Sequence, residues 1–256
     1  MSNEEERLHI SYSKYRFWRA CPYKYKLVAI DKIEPFEENV YFAFGAAIHS
    51  LCEQKYGNIE KKKTFTELFL AELNERQVEI EPTEQVKMIK QAAELEVELF
   101  PAIEEHFGKF KVKYIEVELK EPIENYSVDF WGYIDLVIQT EDGQYHILDW
   151  KSTSWGWHAR KKSDPIWNYQ LTYYKIFFAQ CAKIPLENIK TYFVFLKRTA
   201  KLGKKIEIFH VTSGKKKIEN AMESLRMMVS NISCKRFMRN RLGCDTCDFH
   251  GTKHCT

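Results

Sequence analysis

Two apolar runs, Val128 to Ile138 and Tyr145 to Trp150, are joined through Asp142-Gly143. Asp-Gly between alternating runs predicts a β-hairpin. The first run contains Asp135 and the second leads to Asp149, so the hairpin brings two carboxylates to the same end of neighbouring strands. Carboxylates so placed repel one another unless they are protonated, separated or neutralised, and a hard divalent ion such as Mg2+ or Mn2+ is the usual neutraliser. Lys151 shares the face of Asp149 because strand side chains alternate, and it reaches the same phosphate or water. Asp-x-Lys alone also describes a salt-bridged strand end. Here it follows Gly132-Tyr133-Ile134-Asp135 and precedes Asn168 to Tyr174, where Gln170 and Tyr174, four apart, share a helix face.

Around the hairpin the hydrophobic period changes twice. Lys14 to Ala29, broken at Pro22, predicts a helix and a turn, and Gly45 to Tyr56 a second helix with His49 near its start. Thr64 to Arg76 and Glu84 to Phe107 read as an all-helical insertion, residues 57–110, with Pro101 a candidate bend. Tyr114 to Leu119 alternates as a strand and makes three antiparallel strands with the hairpin. Glu116 and Glu118 lie in it, and the pattern does not choose which faces the aspartates. Trp167 to Cys181 returns to helix, Thr191 to Leu196 and Lys205 to Val211 to strand, and Gly214 to Met228 closes as a helix. The expected fold is α/β, a central mixed β-sheet flanked by helices, with residues 112–212 as the sheet core of a single domain over 1–256.

A chain of 256 residues with 45% hydrophobic content can bury a sizeable core as one domain. Formal net charge is only +3, so clustering matters more than the total. Lys197-Arg198, Lys204-Lys205, Lys215 to Lys217 and Lys235-Arg236 are runs of the kind that form solvated faces. Trp155-Gly156-Trp157, followed by Lys161 and Lys162, mixes rings with positive charge directly after Lys151. Bases stack on such rings and phosphates pair with such cations, which suits a single nucleic-acid strand. No stretch reaches membrane-spanning length and the chain begins without an apolar leader, so a cytoplasmic, reducing setting is expected.

Seven cysteines are present, and grouped cysteines in a reducing setting bind metal more often than they form disulfides. Cys244, Cys247 and Cys255 supply three thiolates. His250 or His254 would complete a local Cys3His zinc site; Cys21 would instead complete a four-thiolate [4Fe–4S] site that clamps the two ends of the chain together. Cys52 and Cys181 read as small buried residues.

Taken together, Ser11-Tyr12-Ser13 leading to Cys21-Pro22, Gly45 to His49, Gly132 to Asp135, Asp149-Trp150-Lys151, Gln170 with Tyr174, and the terminal cysteines resemble, in order, the RecB-type nucleases of the PD-(D/E)xK superfamily. The likeness is greatest to the iron–sulfur branch that includes the AddB nuclease domain and CRISPR-associated adaptation exonucleases. It spans nearly the whole chain, although the gap between Cys247 and Cys255 is longer than is common there. The resemblance implies a restriction-endonuclease-like core whose divalent metal is held by His49, Asp135, Asp149 and the carbonyl of Trp150. Lys151 is then the catalytic lysine, Gln170 and Tyr174 support the site, and Cys21, Cys244, Cys247 and Cys255 hold iron and sulfide at residues 21 and 244–255.

The resulting expectation is a Mg2+- or Mn2+-dependent DNA exonuclease favouring single-stranded ends, with Trp155, Trp157, Lys161 and Lys162 on the DNA path. Its setting would be recombination, repair or replication, with proteins of those processes as partners. The alternatives are a DNA-binding recombination module that cuts little, and an RNA-directed nuclease, since no motif reads a 2′-hydroxyl. The aspartates and lysine together favour an enzyme.

Overall fold

The computed structural model describes residues 8–34, 38–57 and 59–256; the amino-terminal residues 1–7, read above as lacking an apolar leader, lie outside them. Among the described residues the sheet has six strands: β1 (Leu8–Ile10), β2 (Phe110–Pro122), β3 (Val128–Thr140), β4 (Tyr145–Thr153), β5 (Ile189–Lys197) and β6 (Ile206–His210). The order is β1-β3-β4-β5-β6, with β2 also paired to β3. β2, β3 and β4 run antiparallel as expected, whereas β1 pairs parallel with β3 and β5 parallel with β4, so the sheet is mixed.

Helices cover both faces, and the strands carry two apolar sets, which alternate residue by residue in β4 and β5. Ile134, Val137, Ile147, Phe193 and Phe195 pack with α1 (Tyr12–Ala20), α2 (Pro22–Tyr25), α7 (Pro165–Ala182) and α8 (Lys215–Ser233). Leu136, Ile138, Leu148, Trp150, Val194 and Leu196 pack with α3 (Val40–Tyr56), α4 (Phe65–Glu75) and α5 (Pro82–Phe107). A strand buried on both faces reads as a nearly continuous apolar run, which is why Thr191 to Leu196 carries so little polarity. Residues 57–110 supply much of the second layer, and α5 runs through Pro101 to end at Gly108, whose φ is +66°. A short helix α6 (Ala159–Ser163) leads into α7.

Helix starts follow their capping residues. Ser11 accepts from the Lys14 N–H, Asn39 from Tyr41 and Phe42, and Thr64 forms a capping box with Glu67. Each satisfies donors that the first helical turn leaves open. Three expectations are corrected. Cys181 is exposed near the end of α7, although Cys52 is buried. Within the basic runs, Lys205 and Arg198 are buried rather than solvated. Lys205 Nζ pairs with Glu94 on α5 at 2.9 Å and donates to the Arg198 carbonyl at 2.9 Å, while the Arg198 guanidinium lies 4.5 Å from the centre of the Tyr41 ring.

Candidate active site

The β3–β4 ladder ends at the pair Leu136 with Leu148, one step short of Asp135 and Asp149. Pairing therefore stops where two carboxylates would come face to face. The Trp150 N–H donates to Asp135 Oδ2 at 2.7 Å. Lys151 Nζ lies 2.5 Å from Asp149 Oδ2, and Gln170 Nε2 donates to Asp149 Oδ1 at 2.7 Å and to the Tyr174 hydroxyl at 3.2 Å. Added to Gly132, a Cβ would stand 3.1 Å from Tyr174 Cε1. Glycine there lets the tyrosine settle against β3 and hold Gln170 from behind.

His49 arrives from α3 on the opposite layer. Its Nδ1 is 3.5 Å from Asp135 Oδ1 and its Nε2 is 3.1 Å from the Trp150 carbonyl oxygen. Of the two glutamates on β2, Glu116 turns to this centre: it lies opposite Asp135 between the pairs Ile115 with Leu136 and Val117 with Ile134. Its φ is +46°, a conformation L-residues rarely adopt. Glu118 instead accepts from Trp131 Nε1 at 2.6 Å and from the Tyr133 hydroxyl. Glu53, four residues after His49 on α3, adds its charge to the same centre. Sequence reading missed Glu53; the shared helix face of positions 49 and 53 was the signal available.

The residues fit a hard divalent cation. Octahedral ligands at about 2.1 Å lie about 3.0 Å from their neighbours, close to the separation of His49 Nε2 from the Trp150 oxygen. His49, Glu116 and Asp135 offer ligand atoms all within 4.8 Å of one another. The charges agree. Burial pushes Glu116 up to about 7, with Asp135 and Glu53 acting in the same direction. Burial also raises Asp149 against the pull of Lys151, whereas His49 and Lys151 outweigh burial at Asp135 and hold it low. Burial disfavours charged His49, but Asp135 overcomes this and raises it. Four carboxyl groups thus meet only two side-chain bases, a deficit of positive charge that a divalent ion would fill.

The aromatic and basic residues after Lys151 are placed unequally. Trp155 is 75% exposed. Gly156, at φ +86°, reverses the chain, and Trp157 then packs half-buried against Trp167, Phe193 and Phe195 at 5.0–5.3 Å between ring centres. The Lys161 ammonium lies over Trp157 and Trp167, and Lys162 is paired with Glu207.

Cys21, Cys244, Cys247 and Cys255 line one cavity of about 300 Å3, together with Tyr23, Arg239, Asn240 and His250. The Asn240 N–H donates to Cys21 Sγ at 3.3 Å, joining the start of α2 to the carboxyl-terminal loop. The four cysteines named for a metal centre thus share one cavity.

The family model described as "PD-(D/E)XK nuclease superfamily" matches residues 9–252. A solved structure titled "putative exonuclease", from Eubacterium rectale, shares 15% sequence identity with a TM-score of 0.55, over 91% of this chain and 84% of that one. At that identity the likeness speaks for the fold alone. A second, SSO0001, shares 11% identity over 93% of each chain, but its TM-score of 0.36 carries no weight. No curated protein sequence matches. With the family model covering almost its whole length, the chain belongs to the PD-(D/E)XK nuclease superfamily.

Proposed function

We propose that this nuclease is a metal-dependent DNA exonuclease that hydrolyses phosphodiester bonds and prefers single-stranded ends. The observation that carries the reading is the trio of His49, Glu116 and Asp135, with ligand atoms within 4.8 Å of one another, beside Asp149 with Lys151 held 2.5 Å from it. His49, Asp135, Asp149 and the Trp150 carbonyl would hold a Mg2+ or Mn2+ ion, which would supply Lewis-acid polarisation of a phosphodiester oxygen. Lys151 sets a fixed ammonium beside the scissile phosphate, where it orients the attacking water and offsets charge building on the phosphoryl oxygens. Gln170 and Tyr174 fix the Asp149 carboxylate so that Lys151 keeps its place. Exposed Trp155 offers a stacking surface beside the centre. Open strands of this kind arise in recombination, repair and replication.

The cysteine cavity is assigned a [4Fe–4S] cluster held by Cys21, Cys244, Cys247 and Cys255, with a structural role in joining the two ends of the described chain. Support comes from the cavity that the four cysteines line together and from the Asn240 N–H that joins Cys21 to the carboxyl-terminal loop. Anaerobically purified protein should contain iron and acid-labile sulfide; stoichiometric zinc without iron would overturn the assignment. The exonuclease reading is tested with linear and covalently closed single-stranded DNA in Mn2+. Linear DNA should be degraded and circles spared, whereas equal rates on both would make the enzyme an endonuclease.

A further inference from the structure

Beside the proposed centre is a second basic group that the chemistry above does not use. Arg16, on α1, lays its guanidinium 4.2 Å from the centre of the Trp167 ring, at the start of α7. Lys161, on α6, places its ammonium 3.9 Å from the same ring and 4.3 Å from Trp157. Tyr12 ties the arrangement down: its hydroxyl donates to the Ile166 and Trp167 carbonyls at 3.2 and 3.3 Å. Trp157, under Lys161, packs 5.0 Å from Phe193, and Lys151 Nζ lies 5.5 Å from the centre of that same Phe193 ring, which puts the group beside the catalytic lysine. Arg16 and Trp167 also line a groove of about 430 Å3 between α1 and the carboxyl-terminal loop. Its two acids are engaged, Asp164 in capping the Ile166 N–H and Asp248 in pairing with Lys24 at 2.6 Å.

Burial and then the charges of Arg16 and Lys151 disfavour Lys161 as a cation. Three cations crowd one corner, two of them seated over tryptophan rings. Such an arrangement fits an anion that arrives from outside. A phosphodiester strand whose scissile phosphate lies at Lys151 brings further phosphates in series, one for each neighbouring nucleotide. Both cations are recessed against their rings, where a flexible strand can bend inward and a stiff duplex cannot. Trp167 serves here as a mount for the cations.

We propose that Arg16 and Lys161, mounted on Trp167, form a phosphate grip for the nucleotides adjoining the scissile bond of a single DNA strand. This rests on the nuclease reading for its placement of the scissile phosphate. The test measures binding of a fluorescent oligothymidylate by anisotropy across a salt series, with chelator present so that nothing is cut. Loss of two phosphate contacts in R16Q/K161Q should weaken binding about 10- to 100-fold. It should also flatten the slope of log affinity against log salt by about 1.4, at about 0.7 per contact on a single strand. R16Q alone should flatten the slope by about 0.7, and R16K/K161R should restore it. In Mn2+, KM should rise with the loss of affinity while kcat at saturation stays within about threefold. Unchanged affinity and slope in a folded variant would overturn the grip, as would a wild-type protein that binds no single strand. Wild type that binds with the expected slope but hydrolyses nothing would refute the nuclease reading and leave the grip standing.

Discussion

Glu116 shows how much a single backbone angle decides. In a regular strand, alternation allows Glu116 and Glu118 to share one face, and no propensity separates them. The φ of +46° at Glu116 breaks that equivalence and turns its carboxyl to His49 and Asp135, while Glu118 stays with Trp131 and Tyr133. Glu116→Gln should keep the fold but raise the metal concentration needed for half-maximal hydrolysis about 10- to 100-fold, the usual range for a group supporting a metal site. A metal titration identical to wild type would remove Glu116 from the site. Trp155 and Trp157 were indistinguishable in sequence, because the reversal at Gly156 that buries one and exposes the other is a matter of conformation. Trp157→Ala should therefore cost about 2 kcal/mol of stability. Trp155→Ala should leave the unfolding midpoint unchanged and weaken single-strand binding. Chemical denaturation of both variants checks the contrast.

At the scale of elements, the hairpin was legible because period-two alternation and Asp-Gly fix a register that carries both aspartates. β1 was not, since Leu8–Ile10 is too short for any period to show, and its parallel pairing to β3 depends on a contact more than a hundred residues away. Lys205 was hidden for a different reason. A run of basic residues reads as surface, yet this ammonium closes the β5–β6 hairpin onto α5 through Glu94, and Glu98 accepts from the Lys205 and Gly203 N–H groups. Lys205→Ala leaves Glu94 without its partner and the Arg198 carbonyl without its donor. The expected loss is about 2–3 kcal/mol, since truncating one side of a buried pair costs more than the pair contributes. A loss below about 0.5 kcal/mol in urea denaturation would show that the clasp is not structural.

For the whole molecule, acid stability bears on the end of the sheet around Tyr192. His106, His146 and His210 gather near this ring. Burial pushes His146 down to about 4, helped by Lys190, with Asp142 opposing and His106 and His210 adding to the fall. Unfolded histidine takes up its proton near 6.5, so between about 6.5 and 4 the unfolded chain binds the proton that folded His146 refuses. The stabilising share of His146 is complete above that window and is lost as pH falls through it. The stability advantage of wild type over His146→Gln should thus shrink by on the order of 1 kcal/mol from pH 7.5 to 5, allowing for solvent screening. An advantage independent of pH would contradict this.

In the proposed function Asp149 and Lys151 sit where a divalent ion and a phosphodiester meet. End-labelled single-stranded DNA should be incubated with the wild-type protein and with Lys151→Ala, each with Mn2+ and each with chelator. The account predicts hydrolysis by wild type in Mn2+ alone, with Lys151→Ala slower by at least about a thousandfold while its DNA affinity stays within a few-fold. Full activity in Lys151→Ala, or wild-type cleavage that persists in chelator, would contradict it.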